Sequence, residues 1–340
     1  MLILGTSILS SSVSLEATSP VLDEFGTDAL FGYSLRKVSS DATFNPSTGE
    51  QLCIRVRRSS DNSEQDIGFN GGVLDTAALE SFCEAGDDAY VKIWYDQLAG
   101  AAGRTTHFAT ATPTQQPPIV LNGSVLTDPV TGLPAMRFSG SRFLQYTETS
   151  GNYTDSRGWS TETLNTLTGA YSLFFVGQSY RTSGNSYIVQ SSNDNVVLFD
   201  DSITYTVEST ATSLTLPDDG FTNLYAWEIE RDASNGLGLY KNNVNLIGTV
   251  VQSGTFGIQD LGGTGADTRS FYGDVFEFLG FDASKTERDG LFANLDGYYT
   301  ITDYAHTPTT YATPFAARVA ADGGSVESTS CLITDLTPLV

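Results

Sequence analysis

From residue 170 onward the chain is a succession of apolar, aromatic and β-branched stretches broken by turn residues. AYSLFFVGQSYR, SYIVQSS, NVVLFDD, SITYTVES, TNLYAWEIER, LGLYKNNVNLIGTVV and SFYGDVFEFLGFD follow one another at short spacing. Within TNLYAWEIER, Leu224, Ala226, Glu228 and Glu230 alternate with Tyr225, Trp227 and Ile229, the period of a half-buried strand. Asn242 and Asn243 mark a hairpin turn. Many strands with turn signals between them pack as a two-sheet sandwich. Sixteen Tyr and 19 Phe among 340 residues favour strands, and the length suffices for one large all-β domain or two smaller ones.

The block 50–97 is the second constraint. It opens on Cys53-Ile54-Arg55-Val56-Arg57-Arg58, continues through Asp66 and Ile67, and closes on Trp94-Tyr95-Asp96-Gln97. Arg55 and Arg57 share one strand face, while Ile54, Val56 and Arg58 take the other. Guanidinium forks bind carboxylates bidentately, which points to Glu64, Asp66 or Asp96 as partners. A sugar- or acid-binding site is the alternative. Asp75 reads as the N-cap of a helix through Phe82. Short strands are expected over 119–121, 125–126, 135–138 and 143–146, and a short helix within 28–38. Ser284 and Glu287 read as a capping box, with Leu291, Leu295 and Tyr298 on the buried side of the helix that follows.

These residues resemble the catalytic domain of the alpha-L-arabinofuranosidase B family. The likeness rests on YSLRKVSS (33–40), IRVRRSSD (54–61), a helix ending in Phe82-Cys83 and a strand ending in Tyr95-Asp96-Gln97, and it covers about residues 28–140. FYGDVFEFLGFD followed by a helix is similar to the end of laminin-G or concanavalin A-like lectin domains. The resemblance implies one all-β, concanavalin A-like (laminin-G-like) β-sandwich jelly roll with short helices over 28–304. An extended N-terminal arm (1–27) and a C-terminal linker and docking tail (305–340) flank it. Similar stretches occur in phage virion proteins, and ARVAADGG (317–324) resembles a motif of phage structural proteins.

Charge narrows the partners. A net charge of −23 argues against a nucleic-acid face, which needs Lys and Arg for phosphate contacts. No run of 18 apolar residues implies membrane insertion, and the N-terminus lacks the basic start of a secretory signal. Three cysteines, Cys53, Cys83 and Cys331, do not make a disulfide framework. A Cys53–Cys83 bridge and buried free thiols both fit the sequence.

Retaining glycosidases need two carboxylates about 5–5.5 Å apart. The resemblance implies a Glu on a central strand and an Asp after a Gly-Gly pair. Here Thr264 follows Gly262-Gly263, and NVVLFDD offers Asp200 and Asp201 without a Glu. Asp200, Asp201 and Asp267 are therefore the catalytic candidates, and none is assigned. Trp159 and Asp96 are the carbohydrate-binding candidates, because Trp94 and Trp227 lie within strands and read as core. Asn195, Asp200 and Asp201 could supply hard oxygens to calcium, and no other cofactor is expected. Glu228 and Glu230 read as a solvated sheet face. His107 and His306 are too few for a histidine metal site.

The expectation is a non-enzymatic phage virion protein: a surface decoration, head fibre or tail appendage. Its lectin-like domain would touch host glycans. Its arm and tail would bind other virion proteins, in a homo-oligomer or a larger assembly. The competing expectations are a secreted, extracellular glycoside hydrolase of the arabinofuranosidase type and a cell-surface adhesin.

Overall fold

A computed structural model describes residues 19–40, 48–84, 86–98, 106–140, 142–148, 164–180, 185–191, 195–199, 202–207, 210–215, 224–246, 250–263, 270–301, 325–327 and 332–335, with the backbone alone at 106, 146–148, 164–166, 185, 195, 197–199, 202–207, 210–215, 325–327 and 332–335. These residues form an all-β sandwich of two antiparallel sheets. The smaller runs Ala29–Ser34, Gly273–Phe281, Tyr171–Ser179, Tyr225–Arg231, Gly236–Lys241 and Val244–Asn245. The larger runs Thr210–Thr215, Ser202–Val207, Asn195–Phe199, Asn185–Gln190, Asp260–Leu261, Leu144–Glu148, Thr106–Ala109, Ala89–Tyr95, Leu52–Arg58, Glu64–Asn70 and Val73–Leu74. In the tail, Ser325–Glu327 pairs with Leu332–Asp335. No helix among the described residues is long and apolar enough to cross a membrane.

The core lies between the two sheets. Trp94, Phe108, Leu144 and Val189 from the larger sheet meet Phe31, Tyr33, Leu173, Trp227 and Phe278 from the smaller. Both strand tryptophans are buried, as their alternation requires. The expected short strands are present as Pro118–Leu121, Ser124–Val125, Met136–Phe138 and Leu144–Glu148. Asn122 and Gly123 carry the positive φ (51° and 75°) of a tight hairpin turn.

The outer face of the smaller sheet is not solvated. Helix α1 (Val21–Phe25) and helix α3 (Arg288–Tyr299) lie over it, and Val21, Leu22, Leu291, Phe292, Leu295 and Tyr299 pack on Phe174, Val176, Phe276 and Leu279. Glu228 is fully buried there, paired with Arg288, whose guanidinium also meets Glu230 (2.7 Å). A bulge between Val275 and Glu277, opposite Val176 and Gly177, turns both Phe276 and Glu277 to this side. Glu277 then takes a bidentate Arg36 (2.8 and 3.0 Å) and the Tyr299 hydroxyl (2.8 Å). The carboxylates read as a wet face are instead the ionic glue beneath α3. The reading missed them because it had no partner for that face.

Three local expectations are corrected. Residues 29–34 form a strand, not a helix. Its pairing with Gly273–Phe281 buries Phe31 and Tyr33, and Gly32 weakens any helix there. Ser284 does not cap α3. It donates to Glu230, and Glu287 occupies the N-cap position without a side-chain capping bond. The buried stripe of α3 ends on Tyr299 rather than Tyr298, because the helix begins at Arg288. Of the arm, only residues 19–27 are described, and they hold α1 docked against α3 rather than extended chain. Helix α2 (Thr76–Cys83) forms as expected, with Asp75 Oδ1 accepting from the Ala78 N–H at 2.9 Å.

Candidate functional site

Strand register aligns one continuous row of residues across the outer face of the larger sheet. Asp66 pairs with Arg55, Arg55 with Ile93, Ile93 with Ala109, and Ala109 with Gln145. Gln145 then pairs with Asp260, Asp260 with Gln190, Gln190 with Asn195, and Asn195 with Thr206. Leu144, Val189 and Leu261 beside them point into the core, so Gln145, Asp260 and Gln190 point away from it.

The two halves of the row differ in chemistry. At one end Arg55 grips Asp66 with two 2.8 Å bonds, and Tyr95 donates to the same carboxylate at 2.7 Å. That end is saturated. Ile93, Ala109, Leu52 and Tyr95 form a small apolar patch beside it. At the other end Asp260 is only 5% exposed, and Gln145 Nε2 donates to its Oδ1 at 3.0 Å. No cation neighbours it among the described residues, and burial pushes its carboxyl up to about 6 against the pull of the Gln145 bond. Gln190, opposite it, is 2% exposed, and its side chain makes no hydrogen bond among the described residues. A buried polar group without a partner costs about 1–3 kcal/mol. Asp260 beside Gln190 has the single Gln145 bond among the described residues, so the pair can take further hydrogen bonds from a ligand.

Directly opposite residues on one sheet face have Cβ atoms about 4.5–5.5 Å apart. Asp260 and Gln190 therefore offer, within the reach of one small ligand, an acceptor carboxylate and a carboxamide that both donates and accepts. Hydroxyl groups on adjacent carbons match that set.

The residues singled out in the sequence fare differently. Asp96 is fully buried, and its Oδ1 accepts from the N–H groups of Gly32 (2.9 Å) and Leu98 (3.0 Å). It is a clamp within the fold and not a glycan contact. Arg57 is held by Gln116 (2.7 Å) and Asn62 (2.9 Å), not by a carboxylate. Trp159, Asp200, Asp201 and Asp267 lie outside the described residues. Of the proposed calcium set, Asn195 opens the strand Asn195–Phe199 with its backbone alone described, so the set falls outside the described side chains. Among the described residues no three metal-ligating side chains come together. Cys53 and Cys83 are buried free thiols, not a disulfide; Cys331 is not described.

His107 is buried next to Tyr95, and its Nδ1 accepts from the Asp96 N–H at 3.1 Å. Burial, then Arg55, drops it to about 3, so it is neutral. The sequence reading passed over Gln145, Gln190 and Asp260. Each is a polar residue inside an apolar run (FLQY, YIVQ, FGIQDL), a signal visible without any motif.

No protein-family model matches the chain. No curated protein matches it either. Solved structures do, at the level of the fold. An arabinofuranosidase complexed with arabinofuranosyl-alpha-1,2-xylobiose superposes with a TM-score of 0.58 at 13% identity, over 83% of this chain and 65% of that one. A GH54 α-L-arabinofuranosidase variant soaked with 4-nitrophenyl α-L-arabinofuranoside gives 0.59 at 13% identity, over 83% and 66%. The GH54 enzyme soaked with a cyclic sulfate inhibitor gives 0.57 at 14% identity. The chain thus spans just under two thirds of the length of these proteins.

Proposed function

We propose that this sandwich is a lectin-like carbohydrate-binding domain, and that its ligand seats on the Gln145–Asp260–Gln190 part of the row. The observation that carries the reading is the buried Asp260 carboxylate beside the buried Gln190 carboxamide, which makes no hydrogen bond among the described residues. Hydroxyl-bearing ligands supply the donors and acceptors this pair lacks.

Spacing favours binding over hydrolysis. Both glycosidase mechanisms need a second carboxylate within about 10 Å of the first. The neighbours of Asp260 on the row are amides. The next acid along it, Asp66, lies five strand spacings away, about 24 Å at about 4.8 Å each, and is already held by Arg55. With one carboxylate on this stretch, the site is expected to work without calcium.

The wider setting belongs to the same proposal. A virion-surface or appendage protein, outside the cell, would use the arm and tail to bind its neighbours in an oligomer. This rests on the phage-like stretches of sequence. A second reading, an arabinofuranosidase-type hydrolase, draws on the fold of the neighbours and on a carboxyl raised to about 6, suited to proton donation.

The test pairs two assays on the full chain. Binding to arabinose-bearing and other polysaccharides is measured by calorimetry, and hydrolysis of aryl arabinofuranosides is followed in parallel. The expected result is binding without turnover, lost in Gln190→Leu and Asp260→Asn and unchanged by a calcium chelator. Turnover abolished by Asp267→Asn would replace the lectin reading with the hydrolase.

A further inference from the structure

A second feature lies on the opposite side of the molecule, over the smaller sheet. Helix α3 and the Asn242-Asn243 turn enclose an open cleft of about 210 Å³. Its polar wall is Asn242, Asn243, Asp289 and Asp296, and Phe292 and Ala226 line it as apolar surface. We propose that this cleft is an independent binding site for a small neutral polyol of monosaccharide size.

The wall is held in place from within the fold. Asn242 and Asn243 sit at φ 47° and 66°, the conformation a two-residue hairpin demands. The Asn242 carboxamide is anchored through its Oδ1, which accepts from the Ala226 N–H at 3.1 Å. Its Nδ2 makes no bond among the described residues and remains available as a donor. Asn243 Nδ2 donates to Asp289 Oδ1 at 2.8 Å, which fixes that carboxylate and leaves its second oxygen as an acceptor.

The chemistry of the lining selects the ligand class. Among the described residues no Lys or Arg lines the cleft, so an anion meets no counter-charge there. Asp289 and Asp296 are seven residues apart on α3, about 10.5 Å along its axis at about 1.5 Å per residue. A single ion with oxygens at about 2.3–2.6 Å draws its ligands closer together than that. What fits is a ligand with hydroxyls for the acids and amides, and a C–H face for Phe292 and Ala226.

The experiment is a ¹H–¹⁵N titration of the full chain with L-arabinose, D-galactose and D-glucose in turn. Calcium chloride and putrescine serve as controls. Saturable shifts are expected at the amides of Asn242, Asn243 and Ala293 with at least one sugar. They should vanish in Ala293→Trp, which fills the cleft from an exposed helix position, and persist in Gln190→Leu, which removes the site on the other sheet. No saturable shift with any of the three sugars overturns the proposal. So does a response confined to calcium or putrescine, or one that survives in Ala293→Trp. Because the two variants affect different faces, failure here is distinguishable from failure of the larger-sheet site.

Discussion

Asp260 stands opposite Gln190 across paired strands, while its Oδ1 takes a bond from the other side, from Gln145 at 3.0 Å. The carboxylate is buried without a cation among the described residues, and the fold resists its ionisation. Its folded pKa, about 6, lies above the ordinary carboxylate value. Its contribution to stability is therefore fully present below about pH 4 and is lost as pH rises through 6. Two units correspond to about 3 kcal/mol. Asp260→Asn should leave stability little changed at pH 4 and raise it by about 2–3 kcal/mol at pH 7. Urea unfolding of both proteins at the two pH values measures this, and equal differences at both would disprove it.

His107 bears on the same pH range with the opposite sign. Its imidazole accepts from the Asp96 N–H, and burial holds its pKa near 3. The stability of the neutral form is present above about pH 6.5 and erodes as pH falls toward 3. The chain has two histidines. In NMR spectra recorded from pH 8 down to pH 4, one imidazole should keep its neutral shifts throughout. Titration of both near 6.5 would show that His107 is not enclosed.

Much of the fold was legible in the sequence, and the reason is local. The long alternating strands, the Asn122-Gly123 and Asn242-Asn243 turns and the Asp75 cap all act within a few residues of themselves. The Tyr95-Asp96-Gln97 stretch proves to be structural. Gln97 holds the 34–38 segment through the carbonyls of Ser34 and Arg36 and the N–H of Val38, as Asp96 holds Gly32. The stretches that carry the family likeness therefore bind each other, which is why they speak for the fold and not for an activity. The site was hidden for a different reason. Gln145, Gln190 and Asp260 lie far apart in sequence, and only register between non-consecutive strands brings them into one row. Glu228 was misread for want of α3, which begins 60 residues further along the chain and covers it.

The thiols give a direct check on the core. Cys53 and Cys83 are both fully buried, and burial raises the pKa of each. A thiol must ionise and be reached to react. With three cysteines in the chain, a native sample should consume no more than one equivalent of an aromatic disulfide reagent. The same sample in guanidinium should consume three, with or without prior reduction. Only one equivalent in unreduced, denatured protein would reveal a disulfide where the structure has two thiols.

The seam between α3 and the smaller sheet supplies the largest predicted loss. Glu228 is fully buried, its carboxyl pushed up to about 7 by burial against the opposing pull of Arg288. Arg288 also meets Glu230 and lies over the Tyr240 ring at 3.6 Å from its centre. Removing one member of a buried pair strands the other, at about 3–5 kcal/mol. Arg288→Ala should cost about that much at pH 8, where Glu228 must stay charged or take up a proton against the bulk. At pH 5 the loss should be clearly smaller, because Glu228 is then protonated in both proteins. Glu228→Gln combined with Arg288→Ala should recover most of the pH 8 loss, since the fully buried charge is gone and Glu230 is partly exposed. Denaturant unfolding of the three variants at both pH values decides it. A cost independent of pH, or a double variant no better than Arg288→Ala alone, would mean that Arg288 acts by packing on Tyr240 rather than by neutralising Glu228.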